Sequence, residues 1–175
     1  MEKIKKFFKN NWLIITLSLV GAILRFYNLT SSLQFLGDQG RDVLILKKIL
    51  IDHDLVFIGP ITSVGDMYLG PFYYYLMAPF LWLFNYNPAG PAYATTLIGV
   101  ITIPVLYLIT KEMFSKKAAI FTSILYTLGY VPITQTRGAW NPNPMPLAVL
   151  GIIYSLHQAI YKKNSKLLWL FGLSL

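Results

Sequence analysis

Residues 68–84 read YLGPFYYYLMAPFLWLF, and whether this stretch crosses a bilayer or lies along one decides how the chain is arranged. It is apolar enough to cross but barely long enough, since a crossing takes roughly 20 residues. Gly70, Pro71 and Pro79 interrupt it, and its tyrosines and tryptophan prefer the headgroup zone. Flanking charge separates the two readings. Lysines cluster at Lys3, Lys5, Lys6 and Lys9, at Lys111, Lys116 and Lys117, and at Lys162, Lys163 and Lys166. If all three clusters are cytoplasmic, an even number of crossings separates each from the next. Two apolar segments, about 118–134 and 146–161, lie between the second and third clusters. Three lie between the first and second, at about 12–29, 69–86 and 91–110. One of those three therefore does not cross, and the Tyr-rich segment is the weakest. It reads as a helix lying on the outer surface or dipping shallowly into it.

Composition agrees with a membrane protein. Of 175 residues, 55% are hydrophobic and 13% charged, about half the charge of an ordinary soluble domain. The net charge of +8 comes from lysine clusters between apolar runs, the pattern of a topology signal, so nucleic acid is not the expected partner. The basic start MEKIKKFFKNN precedes a long apolar stretch with no small-residue cleavage site after it, which reads as an uncleaved anchor. With no cysteine in the chain, disulfide and thiolate chemistry are excluded. Another apolar segment starts at about 167 and covers half a crossing by residue 175, so 1–175 reads as the N-terminal part of a longer protein. The expected class is all-α: a polytopic helical bundle in the cell membrane, N-terminus cytoplasmic, with amphipathic juxtamembrane helices in a first external loop over 30–90.

That topology gathers the scarce charge on one face. Five of the seven acids, Asp38, Asp42, Asp52, Asp54 and Asp66, fall in the external loop. Val43, Leu46, Ile49 and Leu50 recur at helical spacing, giving a surface helix with Asp38 just before it. Asp38 or Asp42 is either a helix cap or a carboxylate poised at the lipid–water boundary to take a proton from an acceptor hydroxyl. Asp66 lies between Gly59–Pro60 and Gly70–Pro71, on a turn. Tyr73 and its neighbours either stack on a sugar ring or anchor the helix in headgroups. In TQTRGAWNPNPMPL (134–147), Arg137 ends a crossing on the same face, where an arginine binds phosphate bidentately or reaches for lipid headgroups. Trp140 is an interfacial anchor, and the Asn141 and Asn143 amides can hold sugar hydroxyls beside their Asn–Pro turns. His53 and His157 have no ligand-spaced partners.

GDQGRD (37–42), TSVGDMYLGPFYYYLMAPF (62–80) and RGAWNPNPMPL (137–147), in this order, resemble the GT-C membrane glycosyltransferases, specifically the family 39 dolichyl-phosphate-mannose-protein mannosyltransferase group. The resemblance implies a polytopic enzyme with a catalytic aspartate in its first external loop, which maps onto Asp38. It implies a sugar donor linked to polyprenyl phosphate, an acceptor that is a protein, lipid or glycan, and an arginine for the carrier phosphate, which maps onto Arg137. Arg41, Asp42, Asp66, Tyr73, Trp140, Asn141 and Asn143 are the other expected substrate contacts. Many relatives have Asp-Glu where this chain has Asp38–Gln39, which weakens the case for a divalent cation while leaving room for one, and no metal ligand is assigned. The competing class is a non-enzymatic transporter or flippase-like subunit for lipid-linked glycans. Transporters hold ionisable groups near mid-membrane, whereas the acids here gather at the outer face.

Overall fold

The computed structural model describes residues 2–62, 65 and 67–169. Asp66 and the last apolar stretch from residue 170 onward lie outside the described residues. Among those described, every regular element is helical apart from an isolated antiparallel bridge between Ile61 and Tyr68.

Helix α1 runs Glu2–Phe26 and stops where Asn28 takes a left-handed φ of 51°, a conformation asparagine tolerates better than most residues. A 3-10 turn at Thr30–Ser32 leads into α2, Gly37–Lys47. Asp38 therefore stands inside the first turn of α2 rather than just ahead of it. The Gln39 side chain closes that turn by accepting from the Leu36 amide at 3.4 Å. A π-turn, Lys48–Asp52, follows, and then a narrow pairing in which Gly59 donates to Leu69 and Leu69 to Pro60, both at 2.9 Å.

Helix α3, Phe72–Leu83, has 12 residues, about 18 Å at 1.5 Å per residue. Asn85 and Tyr86, both with positive φ, end it. Tyr73, Tyr74, Met77, Ala78 and Leu81 are buried at helical spacing and form one core with Val43 and Leu46 of α2 and Ala94 of the next helix. The amphipathic stretch read from the sequence thus packs protein on its apolar side.

The bundle is organised around α4, Gly90–Met113, which touches α1, α3 and the three helices after it. Pro91 at its first turn costs no hydrogen bond, because amides there lack helical partners anyway. It is the helix among those described that has the length and hydropathy of a membrane crossing; the apolar part of α1, Asn11–Phe26, and the later Met145–Tyr161 are shorter. Its buried stripe is small, with Thr95, Thr96, Gly99 and Thr102, so neighbours approach closely. A Cβ on Gly99 would lie 2.5 Å from Cγ2 and 2.7 Å from Cβ of Thr136, and a β-branched side chain cannot swing away.

The segment expected as one crossing over 118–134 is two helices, α5 (Lys116–Leu128) and α6 (Tyr130–Thr136). Gly129 takes an extended ψ of 134° and Pro132 has no N–H to continue the ladder, so the helix breaks at Gly129. Helix α7, Met145–Tyr161, follows the Trp-Asn-Pro turn. Its far end is tied to α4 through Glu112, which accepts from Tyr154 Oη at 2.9 Å, from Gln158 Nε2 at 2.7 Å and from the Lys162 ammonium. Glu112→Gln, which loses the ion pair to Lys162, is expected to lower the hydrogen-exchange protection factors of the amides in the last turn of α7; equal protection in variant and wild type would remove the clasp.

Candidate active site

The segment between α1 and α2, the start of α2, helix α6 and the turn after it enclose a polar cleft of about 590 Å³. Its wall on α2 carries Asp38 and Gln39, the facing wall carries Arg137, Trp140 and Asn143, and Ser32, Gln34, Tyr130, Thr134 and Gln135 complete it. Residues a hundred positions apart thus share one space. Of the residues expected at the site, Asp38, Arg137, Trp140 and Asn143 line the cleft. Arg41, Asp42, Tyr73 and Asn141 stand outside its lining, and Asp66 is not described.

Asp38 is the exposed carboxylate, with over half of its side chain accessible (54%). Its Oδ1 accepts from Arg41 Nη1 at 3.1 Å. Asp42, four residues on, is buried at 2% exposure and accepts from Arg41 Nε (3.1 Å), Arg41 Nη2 (3.0 Å) and Tyr74 Oη (3.2 Å), all on Oδ1. Its Oδ2 has no partner among the described residues. Burial pushes the Asp42 carboxyl above the usual range, outweighing the hydrogen bonds that favour its charge. Burial, with Asp42 second, also pushes the Tyr74 phenol up to about 12, so Tyr74 remains a hydrogen-bond donor at neutral pH. Tyr73 points elsewhere, donating to the Ala139 carbonyl at 2.8 Å. It ties α3 to the turn that carries Trp140.

That turn is held from all sides by main-chain acceptors. Thr95 of α4 donates to Gly138 at 2.8 Å, Thr96 donates to Thr136 at 2.9 Å, and Asn143 Nδ2 donates to Gly138 at 2.6 Å. The Asn143 amide N–H is thus committed to the turn, which leaves its oxygen for the cleft. Arg137 donates through Nη1 to the carbonyls of Leu24 (2.9 Å) and Arg25 (3.3 Å) and through Nη2 to Ser32 Oγ. These acceptors are neutral, so none of them offsets the guanidinium on the cleft wall.

Arg25 was not singled out from the sequence, because it sits in an apolar run and its partners outside α1 lie over 100 residues away. It is fully buried (0% exposed). Nε donates to Thr136 Oγ1 at 3.1 Å, Nη1 to the Gly21 (3.3 Å) and Thr127 (3.2 Å) carbonyls, and Nη2 to Tyr126 at 2.8 Å. Tyr126 and Thr127 are the residues whose carbonyls lose their helical amides at the Gly129 break. Arg25 supplies the missing donors. Neither Arg25 nor Arg137 pairs with a carboxylate among the described residues, since the ion pairs there join Arg41 to Asp38 and Asp42, and Lys162 to Glu112. Arg137 thus lines the cleft without a carboxylate partner, while Arg25 lies buried outside its lining.

An apolar cavity of about 500 Å³ adjoins the cleft, lined by Leu106 of α4, Val131 and Pro132 of α6, and Met145, Val149 and Leu150 of α7. Gln135 and Asn143 line both spaces. No group of three or more His, Asp, Glu or Cys side chains converges among the described residues, and Asp38 and Asp42 share one guanidinium.

The class these features define is an all-helical chain with a charged polar cleft opening onto an apolar cavity. A family model described as dolichyl-phosphate-mannose-protein mannosyltransferase matches residues 69–175, and the chain belongs to that family of membrane-associated glycosyltransferases. The match covers α3 to α7, with Arg137 and Trp140, and begins after α2 and Asp38. No curated protein and no solved structure matches the chain.

Proposed function

We propose that the protein is a multi-pass membrane glycosyltransferase that moves a sugar from a polyprenyl-phosphate carrier to a protein, lipid or glycan hydroxyl on the extracytoplasmic face. The observation that carries this reading is the joint shape of the two spaces. A polar cleft with Asp38 and Arg137 on opposite walls runs into an apolar cavity, which suits a donor with a sugar-phosphate head and a hydrocarbon tail.

In this mechanism Asp38 accepts the proton of the acceptor hydroxyl. The acceptor oxygen attacks the anomeric carbon from the face opposite the carrier, inverting it. The bond from that carbon to the phosphate oxygen breaks, and the carrier phosphate leaves with the electron pair. Arg137 faces the charge that develops on it. Trp140 offers an apolar ring face to the sugar, and Gln135 and Asn143 stand where head meets tail. No step runs through a cation.

The topology that serves this chemistry has α1, α4, the α5–α6 pair and α7 crossing, with α3 staying at the outer leaflet. At about 18 Å, α3 falls well short of a hydrocarbon core of about 30 Å. Membranes containing the protein should transfer label from a radiolabelled polyprenyl-phosphate sugar to an acceptor. Failure with every donor sugar would end the reading.

Arg137 supplies a sharper test. Arg137→Lys and Arg137→Gln both lose the fork to Leu24, Arg25 and Ser32, so they share any structural cost, but the lysine keeps the charge. Arg137→Gln is expected to lower kcat/KM by about 10²- to 10³-fold, with Arg137→Lys recovering part of it. Equal activities would show that charge at this position does not matter.

A further inference from the structure

Arg41 was expected as a substrate contact, but three of its five N–H donors already face carboxylates. Nη1 goes to Asp38, and Nε and Nη2 both go to Asp42. Two carboxylates around one guanidinium leave a net charge of −1, which repels a phosphate rather than attracting it. What the geometry does supply is a continuous line of support. The Tyr74 hydroxyl, in the α2–α3 core, holds Asp42. Asp42 holds the Nε–Nη2 edge of the Arg41 guanidinium through one oxygen, and Arg41 holds one oxygen of a carboxylate that is otherwise free to turn in solvent. The planar fork suits this task, since one group spans two carboxylates in fixed directions; a lysine ammonium has no such plane.

We propose that Arg41 is the positioning residue of Asp38: braced by Asp42 and Tyr74, it pins Oδ1 of Asp38 so that Oδ2 is presented to the acceptor hydroxyl in the cleft. The inference rests on the transferase reading. Without Arg41, Asp38 and Asp42 are like charges four residues apart on one helix, a mutually repelling pair. The Asp38 side chain then turns outward, and the base is misplaced rather than missing.

The test uses Arg41→Ala and Arg41→Lys in membranes that carry the protein. Misplacement of a reacting group by about 1 Å costs on the order of 10²-fold, so Arg41→Ala should lower kcat by about 10- to 100-fold while the KM values for donor and acceptor stay within about two-fold. Added methylguanidinium should restore part of the rate to Arg41→Ala, and Arg41→Lys should stay low. A rise in donor KM with kcat unchanged would make Arg41 a phosphate ligand after all and overturn the proposal, as would an unchanged kcat.

Two milder variants guard against misfolding. Tyr74→Phe removes a single hydroxyl from the brace, and Asp42→Asn removes a buried charge whose desolvation outweighs its bonds; both should fold and lose kcat several-fold. If either folds with full kcat, the brace is not needed. A wild-type protein that transfers no sugar would sink the transferase reading alone. The clamp is then read by ¹³C NMR of the Asp38 carboxyl, whose resonance should move in Arg41→Ala; an unmoved line would overturn it.

Discussion

Replacing Asp38 with asparagine is expected to reduce sugar transfer by about 10²- to 10⁴-fold, the range a positioned general base contributes, while the protein inserts and melts as the wild type does. Asparagine has the same shape, and its amide oxygen still accepts from Arg41 Nη1, the one hydrogen bond that Asp38 accepts through Oδ1. The side chain is more than half exposed (54%), so no core packing is lost. What disappears is the capacity to take a proton. Labelled sugar transferred per minute, with a melting curve beside it, checks this. Turnover retained near the wild-type rate would remove Asp38 from the chemistry and leave it a first-turn acid on α2.

Arg25→Ala is expected to have the largest effect on stability. Two carbonyls at the α5–α6 break, those of Tyr126 and Thr127, take their donors from this guanidinium, and a buried acceptor left unpaired costs about 1–3 kcal/mol. Relief of the cost of burying the charge offsets part of this, and the cavity left by the side chain adds to it. A net loss of about 3 kcal/mol follows, or roughly 6–12 °C in melting midpoint for a protein of this size. Arg25→Met keeps most of the volume and none of the donors, so it separates packing from hydrogen bonding and should recover less than half of the loss. Because Arg25 Nε also holds Thr136, next to Arg137, both variants should lose transfer beyond what stability explains. A methionine variant as stable as the wild type would show that the break supports itself.

Much of the architecture was legible because it rests on local pattern. The long apolar run over 91–110 is the core of α4, and Gly70–Pro71 and the Asn85–Tyr86 turn bound the short α3. Charge parity set that same segment apart, and it folds as the short α3. The α5–α6 break was hidden, because Gly129 and Pro132 lie in a run apolar enough to read as one helix, and the donors that stabilise the break come from α1. Arg25 was missed for the same reason. Asp42 shows the reverse error: spacing made it a companion of Asp38 at the surface, whereas the Tyr74 hydroxyl from the next helix draws it inward. The cleft itself was legible only as a shared face. That Asp38 and Trp140 border one space depends on Thr95, Thr96 and Tyr73 fastening the 137–144 turn, contacts that span 40 to 66 residues of sequence.

The central claim is that α2 and the Trp-Asn-Pro turn face the same compartment across one cleft. The chain has no cysteine, so single cysteines at Gln34 and at Trp140, two cleft-lining positions, can be probed with a membrane-impermeant maleimide on intact cells. Both should label from outside, and a cysteine at Lys163 should label only after permeabilisation. If Gln34→Cys and Trp140→Cys label from opposite sides of the membrane, Asp38 and Arg137 do not share a cleft and the transfer mechanism built on them is wrong.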